Sequence, residues 1–258
     1  MSKRLEQLLI FSAPLLVGLL NLFHPMFRPP VYAGLIQHIS WWIPLHLLNL
    51  VLFPLLGLAG YLLVKDVHNV ASVVARVALA LFIPLYAAFD ALAGIGTGIL
   101  VRNAEHLAAN DLTSVGPMID SYWSSGTLNA IAALGSMAWM IGMLAAAVAF
   151  TQAERRRLVT GLTIVFFLII GWAQTHLFPT ASDTAIPLTW WLIVAGIGVV
   201  TLLSAKPRVP TALLVLSAAL FGASHVPPTG PLGMLCFLGA AIYLRTNRAS
   251  PATDFGSL

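Results

Sequence analysis

The sequence predicts an all-α integral membrane protein, a bundle of about eight transmembrane helices with both termini cytoplasmic. Three observations carry that expectation. Apolar residues make up 59% of the 258 positions and charged residues only 9%, where a soluble domain carries roughly 25%. Mean hydropathy is +0.91. The apolar residues fall in repeated runs close to the roughly 20 residues that a bilayer-spanning helix needs, and in hydrocarbon the backbone must satisfy its own hydrogen bonds, which makes such runs helical. The third observation is the distribution of basic residues.

Taken in order, the runs are Leu8–Phe23, Trp41–Val64, Ala75–Val101, Thr127–Phe150, Leu158–Leu177, Ala185–Ser204, Val209–Ser224 and Pro231–Leu244. The first has the basic start of a signal peptide, but it contains Pro14 and Gly18 and no small-x-small cleavage site, so it reads as a retained helix. The second and third are interrupted by Pro44, Pro54 and Pro84. The last two are short for a full crossing, and a hairpin that does not cross completely is the alternative for them.

Lys3, Arg4, Lys65, Arg76, Arg155, Arg156, Arg157, Lys206, Arg208, Arg245 and Arg248 fall on one side of this arrangement; only Arg28 and Arg102 fall on the other. Short loops on the cytoplasmic side retain Lys and Arg, so that side is assigned as cytoplasmic, in a bacterial-type plasma (inner) membrane. The whole chain, 1–258, reads as one polytopic domain, with 102–126 as the longest extracytoplasmic loop and 245–258 as a short cytoplasmic tail. The net charge of +4 follows from topology and needs no nucleic-acid partner. Trp41, Trp42, Trp123, Trp172, Trp190 and Trp191 all fall toward the outer helix ends, as an aromatic belt would.

Several chemistries are set aside. Cys236 is the only cysteine, which excludes an intrachain disulfide and a cysteine metal cluster. Each lysine lies at a cytoplasmic helix end, which excludes a retinal Schiff base, and there is no HExxH zinc motif or phosphate-binding loop. Gly94 and Gly98, and likewise Gly57 and Gly60, read as small-residue faces for close helix packing.

The histidines carry the functional hint. Six of the seven fall on the outer side; His24, His176 and His225 each close an outward-running helix shortly before a proline, and His106 lies past the end of another. His46 lies five residues inside helix two from Trp41, with Asn49 one turn deeper on the same face. Polar groups at that depth face protein or water rather than lipid. Asp90, the acidic residue near the middle of a span, joins them as a proton-handling candidate, with Asn49, Asn129 and Gln174 as further binding candidates.

The leading function is small-molecule or proton transport, or ligand sensing, through a histidine-rich cavity toward the extracytoplasmic side. One alternative places a metal ion or haem on His24, His46, His176 and His225, with zinc, copper or haem as cofactor, in a membrane oxidoreductase or hydrolase; imidazole suits these metals, and bundles build metal sites from facing helices. The other alternative is a structural or accessory subunit. The lipid bilayer is the partner in every case, with a small-molecule or lipid ligand, an oligomer or a larger membrane complex as further candidates.

Overall fold

The computed structural model describes residues 1–27, 30–151, 161 and 208–248. It is helical throughout these residues, with no strand among them. Four helical stretches are long and apolar enough to cross a membrane: Lys3–Asn21, Val31–Val64, Val70–Ala104 and Ala109–Phe150. The predicted runs Leu158–Leu177 and Ala185–Ser204, which carry Gln174 and His176, lie outside the described residues.

Helix α1 spans Lys3–Asn21, and its first turn is capped by the Ser2 hydroxyl accepting from the Leu5 amide. A five-residue helix α2 (Val31–Leu35) runs through a short 3-10 turn into α3 (Ile39–Val64). Helix α4 (Val70–Phe89) starts at a capping box, in which Asn69 and Ser72 reciprocally satisfy amides that a helix N-terminus leaves unpaired. It continues through seven residues wound as π-helix, Asp90–Gly96, into α5 (Thr97–Ala104). Helix α6 (Ala109–Trp123) precedes α7 (Gly126–Phe150), and α8 (Arg208–Ala223) precedes α9 (Thr229–Arg248).

Six of these helices close a ring. Going round it, α1 packs on α3, α3 on α4, α4 on α7, α7 on α8, α8 on α9 and α9 back on α1. One apolar core lies inside, with Ile10, Phe53, Phe82, Trp139, Phe221 and Phe237 all fully enclosed. Glycines permit the close approaches: a Cβ on Gly57 would meet Ile83 at 2.6 Å, and one on Gly142 would meet Leu79 at 2.8 Å. Outward faces carry Leu8, Leu19, Leu48, Val51, Val77 and Leu81, all exposed, which suits lipid and not water.

The two ends of the ring differ in chemistry. At one end Lys65 pairs with Glu6, Arg76 donates to the Lys65 carbonyl at 2.9 Å and Arg245 donates to the Leu62 carbonyl at 3.1 Å. Cations thus meet the carbonyls that the C-terminus of α3 leaves open. At the other end a second apolar cluster, built by Val31, Leu35, Trp42, Ile43, Val101 and Ile119, binds α2, α5 and α6 together over the ring. The Val31 amide donates to Asp120 at 2.6 Å across that cluster.

Two sequence expectations need correction here. The segment 102–126 is largely helix, because α6 occupies Ala109–Trp123 in spite of Gly116 and Pro117. Trp42 is not a belt residue: it is 1% exposed and its indole donates to the Gly94 carbonyl at 2.7 Å. Trp41, 37% exposed, does sit at the surface.

Candidate functional site

Four short-range features deliver polar groups to one place at the end opposite the basic residues. His24 lies three residues past the end of α1, just before Pro25. His46 lies two turns inside α3. Asp90 opens the π-helical segment after α4. His225 lies in the bend between α8 and α9.

His24 sits at the centre of the group. Its ring centroid is 5.3 Å from that of His46, 5.0 Å from that of His225 and 5.2 Å from Trp42, edge to face in each case. Trp42 also covers His46 at 4.3 Å. His24 is 7% exposed and His46 3%. The His24 ring lies in the turn beyond α1, and burial together with the neighbouring His46 holds it down to about 4, so it is neutral.

Each imidazole is oriented through the same nitrogen. His46 Nδ1 is 2.7 Å from Asp90 Oδ1, His24 Nδ1 is 2.9 Å from the Pro25 carbonyl, and His225 Nδ1 is 3.1 Å from the Tyr86 hydroxyl. The opposite nitrogen, Nε2, is buried without a hydrogen-bond partner in all three, as is Asp90 Oδ2. Leaving a buried polar atom unpaired costs about 1–3 kcal/mol, so three such atoms on neighbouring rings are an expensive arrangement for a purely structural cluster.

The rings line a cavity of about 280 Å³ whose remaining walls are Pro25, Met26, Phe27, Trp42, Phe89, Ala93, Gly94, Trp123 and Val226. The π-helical segment shapes it. A π turn takes backbone carbonyls out of the regular helical ladder, and two aromatic donors meet them: Trp42 at Gly94, and the Tyr122 hydroxyl at Leu92 at 2.9 Å. Gly94 lies so close to His46 that a Cβ there would stand 2.2 Å from Nδ1. Phe53, Tyr86 and Phe89 pack within 5.8–6.1 Å of the His225 ring.

The structure brings together His24, His46, His225 and Asp90 from the sequence candidates. Asn49 lies one turn below, 0% exposed, but its amide pairs reciprocally with Asn21 at 3.2 Å and does not line the cavity. Asn129 does not join the group: it is exposed at the start of α7, donating to the Ser124 carbonyl at 3.2 Å. His106 and His38 are exposed. His176 and Gln174 lie outside the described residues. Trp42 in the cavity wall, Tyr86 against His225 and Asn21 against Asn49 were not singled out by sequence, although an asparagine closing an apolar helix is a signal that could have flagged Asn21. Among the described residues no group of three or more His, Cys, Asp or Glu side chains is placed so that it could hold a metal ion as it stands.

The fold and site together describe an all-α protein with four helices suited to crossing a membrane and a histidine-lined cavity at one end of the bundle. Comparison with family models, with characterised proteins and with solved structures finds no match.

Proposed function

We propose that this chain is a polytopic membrane protein that binds a ligand in the three-histidine cavity, entered from the extracytoplasmic side, and that it works by ligand sensing rather than by passage through the bundle. The observation that carries the reading is the set of three buried Nε2 atoms without partners on rings whose Nδ1 atoms are all held in place. A ligand that engages those atoms recovers the cost of burying them. The apolar and aromatic walls suit a small molecule or the apolar part of a larger one.

The aromatic rings packed around His225 favour sensing over transport, since among the described residues apolar rings, Phe53 and beyond it Phe221, rather than a chain of polar side chains, lead from it into the core. The gathering of Lys65, Arg76 and Arg245 at that end supports its assignment as cytoplasmic under the positive-inside rule. Eight crossings with both termini cytoplasmic, in a bacterial-type plasma membrane, complete the proposal.

Phenol is a suitable probe, because its hydroxyl donates to an imidazole lone pair and its ring fits aromatic walls. Trp42 and Trp123, both against the cavity, report binding through their emission. Saturable quenching by phenol in the detergent-purified full chain, lost in Ala93→Leu and in Val226→Phe, is the expected result. An unchanged response in both cavity-filling variants, with their melting temperatures retained, overturns the reading.

A further inference from the structure

We infer that the ligand engaged by the three imidazoles is a transition-metal ion, bound through Nε2 of His24, His46 and His225; this rests on the reading of the cavity as a ligand site. The protons decide it. The Pro25 carbonyl only accepts hydrogen bonds, so His24 Nδ1 carries the hydrogen and Nε2 presents a lone pair. Asp90 does the same for His46 when its carboxylate accepts from Nδ1, and the Tyr86 hydroxyl does so for His225 when it accepts from Nδ1. With the rings in those tautomers, three lone pairs on adjoining buried rings repel one another, and an electron-pair acceptor among them reverses that repulsion.

The second group on each ring matches what metal-bound histidines use, in which the non-ligating N–H is donated to a carboxylate, a backbone carbonyl or another polar group that fixes the tautomer. Spacing agrees as well. With metal–nitrogen bonds of about 2.0–2.1 Å and tetrahedral angles, centroids of two bound imidazoles lie about 5 Å apart, against 5.0 and 5.3 Å for the two pairs that share His24. Haem fits poorly, because its axial imidazoles stand on opposite faces of a macrocycle that these touching rings leave no room for.

As they stand, the described side chains include no group of three placed to hold a metal ion, so binding requires the rings to turn toward one point. The apolar remainder of the cavity leaves further coordination positions to water or to a small molecule, as in metal sites that keep an open position.

Cobalt(II) is the probe, since its visible absorption reports imidazole coordination. The chelator-stripped full chain in detergent is titrated with Co²⁺, with phenol quenching measured on the same samples. One equivalent bound per chain, lost in His24→Ala, His46→Ala and His225→Gln and retained in His106→Ala, is expected. Asp90→Asn, which keeps size and polarity, is expected to weaken binding 10–100-fold, the usual effect of removing such an outer partner. Uptake that none of the three ligand variants alters, or that His106→Ala removes, overturns the proposal. No cobalt uptake with phenol binding intact overturns the metal and leaves the cavity standing; loss of both in the unaltered chain removes both.

Discussion

Gly94→Ala is the substitution through which the packing of this site is most open to test. The added Cβ would lie 2.2 Å from His46 Nδ1, 2.4 Å from Cγ and 2.8 Å from Cε1. An aromatic ring cannot yield by rotating a flexible tip, and this one is fixed between Trp42 at 4.3 Å and Asp90 at 2.7 Å. Either the π-helical segment moves away and loses the Trp42 bond to Gly94, or His46 leaves Asp90. Overpacking a filled site costs about 1–3 kcal/mol, and losing either hydrogen bond adds about 0.5–1.5 kcal/mol. A destabilisation of about 1.5–4.5 kcal/mol follows. Gly116→Ala provides the control, because a Cβ there meets nothing within 4 Å in the interior of α6, and Ala gains up to about 1 kcal/mol over Gly in a helix. Thermal unfolding of both variants in one detergent, followed by helical signal, makes the comparison. A Gly94→Ala protein that melts with the unaltered chain and binds cobalt as well would refute the close approach of α3 to the π-helical segment.

Further outcomes follow from other contacts. The reciprocal Asn21–Asn49 pair joins α1 to α3, so a double-mutant cycle with alanine at both positions is expected to give a coupling of about 0.6–1.7 kcal/mol, the range for hydrogen bonds between membrane helices; additive effects would deny the pair. Tyr86→Phe removes the partner of His225 Nδ1 and is expected to destabilise by about 1–3 kcal/mol and to loosen cobalt at least tenfold, both read on one preparation. Trp42→Phe keeps the ring against His46 but loses the bond to Gly94, for an expected cost of about 0.5–1.5 kcal/mol in thermal unfolding; no change would mean that the freed carbonyl finds another donor. For topology, single cysteines at Lys65 and Phe27 in a Cys236→Ser background are expected to react with an impermeant maleimide from opposite faces of sealed vesicles, and labelling from the same face would break the antiparallel arrangement.

Helices were legible where apolar runs were long, even with Pro44 and Pro54 inside one of them. The prediction Trp41–Val64 meets α3 at Ile39–Val64, and Thr127–Phe150 meets α7 at Gly126–Phe150. Helix α6 was not legible, because Asn110, Asp111, Thr113, Ser114, Gly116 and Pro117 give its sequence the composition of a loop, while its helicity depends on the contacts of Ile119 and Asp120 with α2. The π-helical segment left no periodicity to read: its small residues suggested packing, and the side chain they approach is an imidazole. Depth alone placed His24, His46 and His225 at a common level. Their convergence depends on α1 and α8 standing beside α3 in the ring, a tertiary fact that one histidine per helix cannot encode. The same limit explains Asn129, whose depth was suitable but whose side chain turns to its own helix start, and Trp42, whose position at a helix end gave no sign of burial.

Three imidazoles from three separate elements adjoin one another through His24, and the proposed metal would draw them to one point. Pulsed electron paramagnetic resonance on the full chain loaded with one equivalent of Cu²⁺ counts coordinated imidazoles through their distal nitrogens. Three are expected in the unaltered chain and one fewer in each of His24→Ala, His46→Ala and His225→Ala. Copper bound without imidazole, or a count that these substitutions leave unchanged, would contradict it.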